Sequence, residues 1–345
     1  MKKLIYISLF IVLFGFKQSD AQDIHFSQLY LMPMVLNPAN AGAVYQQRAT
    51  LLYRNQWSSV TTPYVSMKAG YDRKFKSRNI NSGYWAAGMY IYNDKAGDSE
   101  MSLTEAVFSG AYHLPLSKYN LLGVGIQGGY FQKSANASSL TWANQFDGFE
   151  YNPNLSSNES FSDGTIAFGK LDASVGIVHT YQQESTLHPV LQRITSGIAV
   201  HHLNKPSLET PNSIINDKLY YRWAIHTEAV INMSEKWQAL PNVAYYYQGK
   251  LQEIYFGSAF MYQLQSASLR TNSVKPISMG LGANYRWKDA IAATLLFDYN
   301  NFLVGFAYDL NISTLKNASN MKGGFEIGLR WIFESEKIKA KSRFN

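Results

Sequence analysis

Apolar and polar side chains alternate at period two along most of this chain. Val65, Met67, Ala69 and Tyr71 share one face of a run whose other face is Ser66, Lys68, Gly70 and Asp72. Leu171, Ala173, Val175, Ile177 and Tyr181 stand against Asp172, Ser174, Gly176, Thr180 and Gln182. The pattern returns at Ile277, Met279, Leu281, Ala283, Tyr285 and Trp287, and at Phe325, Ile327, Leu329, Trp331 and Phe333. Period two is the signature of a strand with one face apolar and the other wet. It predicts fourteen strands, near residues 48–57, 63–75, 83–93, 103–115, 120–132, 171–183, 193–203, 219–231, 237–248, 252–264, 276–288, 290–299, 302–312 and 323–333.

Most of these runs have the roughly 9–11 residues that a tilted strand needs to cross a bilayer. Their even number suits a single-chain bacterial barrel. In lipid every backbone N–H and C=O must find a partner, and a closed sheet has no open edge. The expected fold is therefore all-β, a transmembrane antiparallel β-barrel.

Composition separates this from a soluble β-sandwich with an aromatic core. Of 345 residues, 16% are charged, against roughly 25% in soluble domains. The chain carries Tyr 24, Phe 19 and Trp 7. Trp57, Trp85, Trp223, Trp237, Trp287 and Trp331 fall toward strand ends, where a barrel places its interfacial aromatics. A mean hydropathy of −0.20 opposes a bundle of membrane helices. With Cys 0 there is no disulfide, thiol chemistry or zinc finger.

The first residues, Met1-Lys2-Lys3 and then the apolar run Leu4 to Phe14, read as a secretory signal ending after Ala21. The run is shorter than the roughly 20 residues of a spanning anchor. The expected organisation is signal 1–21, an N-terminal periplasmic or plug segment 22–47, a barrel 48–333 and a basic tail 334–345. Pro33, Pro38 and Gly42 are expected to keep 22–47 out of both helix and strand. The barrel would sit in the outer membrane with both termini periplasmic. Turns at Ser117-Lys118, Ser234-Glu235-Lys236 and Asn300-Asn301 would then be periplasmic, and the long connection 133–170 external. Connections near 76–82, 184–192 and 265–275 would also be periplasmic, although they are not tight.

Little points to chemistry. None of His25, His113, His179, His188, His201, His202 and His226 falls in a hydrolase or metalloprotease motif, and there is no phosphate-binding loop. No catalytic residue, metal site or cofactor is expected. The net charge of +7 falls to +5 when the signal leaves with three lysines and one aspartate, too mild for nucleic acid. Lys68, Arg222, Glu228, Arg286, Glu326 and Arg330 should face the lumen, as a channel lining or as a polar network that closes it. The candidates for contact with a partner or plug are His25, Phe26, Gln28, Pro33, Asn37, Pro38 and Gly42. Trp142, Phe146, Phe149 and Tyr151 are candidates in the external loop. In the tail they are Lys337, Lys339, Lys341 and Arg343, with Phe344 as one apolar anchor.

Several stretches carry a family likeness. They are His25-Phe26-Ser27-Gln28, Leu36-Asn37-Pro38-Ala39-Asn40-Ala41-Gly42 and Tyr53-Arg54-Asn55-Gln56-Trp57. To these add His201-His202-Leu203-Asn204-Lys205-Pro206, Tyr308-Asp309-Leu310-Asn311 and Gly323-Gly324-Phe325-Glu326-Ile327. The chain resembles the PorP/SprF family of type IX secretion-associated outer-membrane proteins of Bacteroidota. One departure is its Lys341-Ser342-Arg343-Phe344-Asn345 end, where family members often carry a Cys-Pro-Arg-Phe-like tail. The resemblance implies a barrel that supports export or surface attachment of a large adhesin with a type IX sorting domain, as in gliding motility. Alternatively it joins the secretion machinery through periplasmic partners. A channel for small solutes is the competing expectation.

Overall fold

The computed structural model describes residues 26–58, 62–75, 83–97, 100–136, 140–158, 165–183, 190–208, 218–266, 274–313 and 316–333. The signal region, His25 and the basic tail with Lys337, Lys339, Lys341 and Arg343 lie outside the described residues.

Fourteen strands form a closed barrel in which each is antiparallel to its chain neighbours and the last pairs with the first. They are β1 (Gln47–Gln56), β2 (Tyr64–Lys74), β3 (Tyr84–Ala96), β4 (Met101–Pro115), β5 (Asn120–Asn136), β6 (Thr165–Gln182) and β7 (Leu191–His201). The second half is β8 (Arg222–Asn232), β9 (Trp237–Gln248), β10 (Leu251–Gln265), β11 (Ile277–Arg286), β12 (Ala290–Tyr299), β13 (Phe302–Asn311) and β14 (Lys322–Ile332). The seam is well paired, from Arg48 opposite Ile332 to Gln56 opposite Gly324. With no open seam, the backbone can sit in hydrocarbon.

The alternation sorts side chains as the sequence predicts. Leu281, Ile126 and Ile91 are exposed on the outside, whereas Lys68, Arg286 and Glu326 are buried inside. Aromatics gather outside at both ends of the strands. At the mouth where β1 begins and β14 ends (the near mouth), Trp85 packs on Tyr112, Trp237 on Tyr262 and Trp331 on Phe333. Around the far mouth, Trp223 pairs across with Tyr247 and Tyr308 with Phe325, and Trp287 lies near Tyr285. Two aromatic belts flanking an aliphatic band are the outer surface of an outer-membrane barrel. Trp57 departs from this pattern. It lies just beyond β1 with φ 58° and packs on Tyr64, half-buried, rather than facing outward from a strand.

Turns at 117–118, 234–236 and 300–301 fall at the near mouth, with the longer connections around 76–82, 184–190 and 266–276. The longest connection, between β5 and β6, is at the far mouth. Both flanking strands run past their expected ends, β5 to Asn136 and β6 back to Thr165, so this hairpin is taller than its neighbours.

Candidate functional site: the segment inside the barrel

Residues 26–46 occupy the interior. They run from the far half of the lumen to the near mouth, where β1 begins. Three short turns shape the path: a 3-10 turn at Leu29–Leu31, one helical turn at Pro33–Leu36 and a 3-10 turn at Pro38–Asn40. The expectation that the prolines exclude helix is corrected here. Pro33 and Pro38 each open a helical turn, the position where a missing N–H costs nothing and a fixed φ helps. Asn37 sits between the turns, and its side-chain oxygen accepts from Ala39 N at 2.9 Å. Gly42, at φ 61°, turns the chain toward β1.

In the far half, charge fixes the start of the segment. The backbone N–H groups of Ser27 and Gln28 donate to the two carboxylate oxygens of Glu326 at 2.7 and 3.0 Å. The Ser27 hydroxyl donates to Asp309 at 2.5 Å. The other Asp309 oxygen accepts from Arg54 at 2.6 Å and Arg286 at 3.2 Å. Tyr255 donates its phenol hydrogen to the Ser27 carbonyl. Carboxylates this buried are costly unless paired and hydrogen-bonded; Asp309 has two guanidiniums and Glu326 two amides. Phe26 meets Tyr92 edge-on, and the Lys68 ammonium lies 5.2 Å from the Phe26 ring and 4.3 Å from that of Tyr92.

Across the middle, shape does the holding. Asn37 Nδ2 donates to the carbonyls of Ile177 on β6 and Ile198 on β7, at 2.9 and 3.2 Å. It lies where Gly176 and Gly197 carry no side chain, and a Cβ at either would strike it. Gly125 likewise leaves room for the backbone of Pro38 and Ala39, Gly88 for Met34 and Gly328 for Leu31. His113 bonds the Ala41 carbonyl at 2.8 Å, and His201 bonds that of Leu36 at 3.3 Å and the Ser174 hydroxyl at 3.1 Å. His226 lies 3.5 Å from Asn40 Nδ2. These histidines are pegs between wall and segment.

At the near mouth, the Gly42 N–H donates to Asp72 at 2.9 Å, and Arg48 pairs with the other Asp72 oxygen at 2.8 Å. Tyr45 lies beneath three guanidiniums, Arg48, Arg193 and Arg330, each 5.4–5.6 Å from its ring centre. Burial alone would raise its phenol pKa, but the three positive charges outweigh that and bring it down to about 8. On this side lies a cavity of about 500 Å³, lined by Tyr45, Arg193, Glu228 and Arg330 among others. A smaller one of about 90 Å³ lies on the far side, by Lys68, Glu105, His202 and Arg222.

Of the segment candidates, Phe26, Gln28, Pro33, Asn37 and Pro38 are buried in the lumen together with Gly42. The external-loop candidates are elsewhere. The β5–β6 loop folds as a small hairpin with Phe146 paired to Tyr151, and the Asp147 carboxylate accepts the N–H groups of Phe149 and Glu150 at 2.9 Å. Those two bonds hold its pKa below the usual carboxylate range. Phe149 stands at the tip, 95% exposed, with Phe146 and Tyr151 also exposed and Trp142 half-buried. The anchors Asp309, Arg54 and Tyr255 were not among the sequence candidates. Asp309 and Arg54 do fall inside the quoted motifs, which was the available signal; Tyr255 had none. Among the described residues no group of three or more His, Cys, Asp or Glu could hold a metal ion.

A closed fourteen-stranded barrel, belted by aromatics and holding a folded stretch of its own N-terminal region, defines an outer-membrane β-barrel protein with an occupied lumen. Residues 18–331 match the family described as Type IX secretion system membrane protein PorP/SprF, and the chain belongs to that family. Among curated proteins no match is found. Solved barrels share its general form. The toluene transporter TbuX of Ralstonia pickettii is 11% identical, with 87% of this chain and 93% of that one covered at a TM-score of 0.49. A FadL homologue of Pseudomonas aeruginosa is 10% identical, with 86% and 93% covered at 0.47. BamA of Haemophilus ducreyi, lacking POTRA domains 1-3, is 9% identical, with 83% and 70% covered at 0.41.

Proposed function

We propose that this protein is a non-enzymatic accessory of type IX secretion that works through its surfaces, with residues 26–46 acting as a plug. In this reading the near mouth faces the periplasm and the far mouth faces outward. The tall β5–β6 hairpin then presents Phe146, Phe149 and Tyr151 to an exported surface adhesin, and the basic tail reaches secretion-machinery proteins below. The observation that carries the reading is the occupied lumen. A segment bonded to Glu326 and Asp309 at one end and to Asp72 at the other suits a closed scaffold better than an open pore. The cavity of about 500 Å³ at the near mouth favours a second reading, a channel for small solutes, which would require the segment to move. Deleting the gene tests the first. The partner adhesin should be lost from the cell surface and recovered in the periplasm or medium. Unchanged surface display would overturn it.

A further inference from the structure

The tallest part of the barrel has an unfinished edge. β6 pairs with β5 as far as Thr165, opposite Asn136, but its pairing with β7 begins only at Val175, opposite Val200. Residues 165–174 therefore rise beyond β7.

The cause is the turn His201-His202-Leu203-Asn204-Lys205-Pro206. His202 and Lys205 take positive φ, 60° and 44°, which bends β7 off its line, and Pro206 cannot donate to a ladder. Asp172 holds the turn through His202 Nδ1 at 3.0 Å. Asn204 closes the lowest part of the edge, accepting from Ala173 N at 3.1 Å and donating to Leu171 O at 2.7 Å, while Leu203 N donates to Ala173 O at 2.9 Å.

Those three bonds identify which backbone groups face the missing neighbour. N–H and C=O alternate sides along a strand, so the groups of residues 171, 169 and 167 point the same way as those of Ala173. Among the described residues, the Leu171 N–H and both backbone groups of Gly169 and Ala167 have no partner on that side. The outward side chains are small at 167 and 169, and Leu171 is 70% exposed. Folded proteins usually cover or blunt such an edge, because it templates another strand. Lys170 belongs to the edge strand, Lys205 follows Asn204 in the adjoining turn with its ammonium over the Tyr221 ring, and Lys218 pairs with Ser207 just beyond, whereas the carboxylate of Asp172 is already engaged by His202.

We propose that residues 167–171 of β6 form a β-augmentation site, which takes an extended segment of a partner polypeptide carrying acidic side chains. Main-chain bonds supply the affinity in this mode, and flanking side chains select the sequence. Ala167 is small and the Tyr130 ring fills the space beside Gly169, which leaves the selection to the lysines. Placing the partner outside the cell rests on the function proposed above; the edge itself does not.

Proline at 167 removes an edge-facing N–H without touching the ladder to β5, which uses the even-numbered residues. The purified full-length protein would be titrated with two fluorescent strand-forming peptides, Thr-Val-Glu-Val-Thr-Glu-Val and the same peptide with Lys for Glu. The wild type should bind the acidic peptide at least tenfold more tightly than the basic one. A167P should lose that binding at least tenfold while keeping the wild-type heat-modifiable migration of a folded barrel. Equal binding by A167P, or no binding by the wild type, overturns the proposal. Protection of the Ala167 and Gly169 amides from hydrogen exchange in the isolated protein also overturns it, since the chain's own loop would then cover the edge. A dimer that A167P converts to monomer overturns it in favour of a second copy. In cells, loss of adhesin display on gene deletion but not with A167P would defeat the edge while leaving the accessory function standing. Normal display on deletion would defeat that function, leaving the edge to the peptide result.

Discussion

Asp309 joins three strands and the inner segment at one carboxylate. It ties β13 to Arg54 on β1 and Arg286 on β11, and it accepts from Ser27. Replacing it with Asn keeps the shape but takes from Arg54 the carboxylate it pairs with, while Arg286 keeps Asp289. Breaking a buried ion pair on one side costs about 3–5 kcal/mol, so D309N should lower the denaturant midpoint of the purified barrel markedly. An unchanged midpoint would show that the cluster contributes little. Tyr45 offers a spectroscopic handle. The difference between wild type and Y45F at the phenolate absorbance should titrate near pH 8 rather than at the ordinary 10. The sign follows from the lowered value: the stabilisation from Tyr45 is full above pH 10 and is lost as pH falls through about 8. R330Q should move that midpoint upward.

The strands were the most legible part of the sequence, because period two recurs along most of the chain and charge on a lipid-facing surface is costly. Their ends were less so. β9 and β12 were predicted at their observed bounds, whereas β5 and β6 overran because a hairpin above the membrane need not alternate apolar with polar. The occupied interior was legible only as a possibility. Pro33 and Pro38 read as breakers when considered alone; their role at the first position of a short turn depends on the wall around them. What Gly125 and Gly176 make room for is not readable from their own strands, since Pro38, Ala39 and Asn37 come from a segment far away in sequence. Gly125 carries the sharpest test at this scale. A Cβ there meets the backbone of Pro38 and Ala39, which has no side chain to swing away. G125V should leave the strand content of the circular dichroism spectrum unchanged while making 26–46 cleavable by added protease. Continued resistance would mean that the segment is held elsewhere.

For the whole molecule, the closed wall and the segment inside it meet through contacts that span the sequence. Residues far apart in sequence meet only when the sheet closes: Ser27 reaches β13 and β14, Asn37 reaches β6 and β7, and Gly42 reaches β2. The stretches on which the family likeness was first read are largely these contact points, so the likeness describes the occupied lumen as much as the barrel wall. On the proposed function, an occupied lumen leaves the rims and loops as the working surfaces of the protein. Planar-bilayer recording of the purified wild-type protein tests it most directly. No steady conductance steps are expected from the wild type, with steps emerging in G125V as the segment is displaced; stable open-channel steps from the wild type would contradict it.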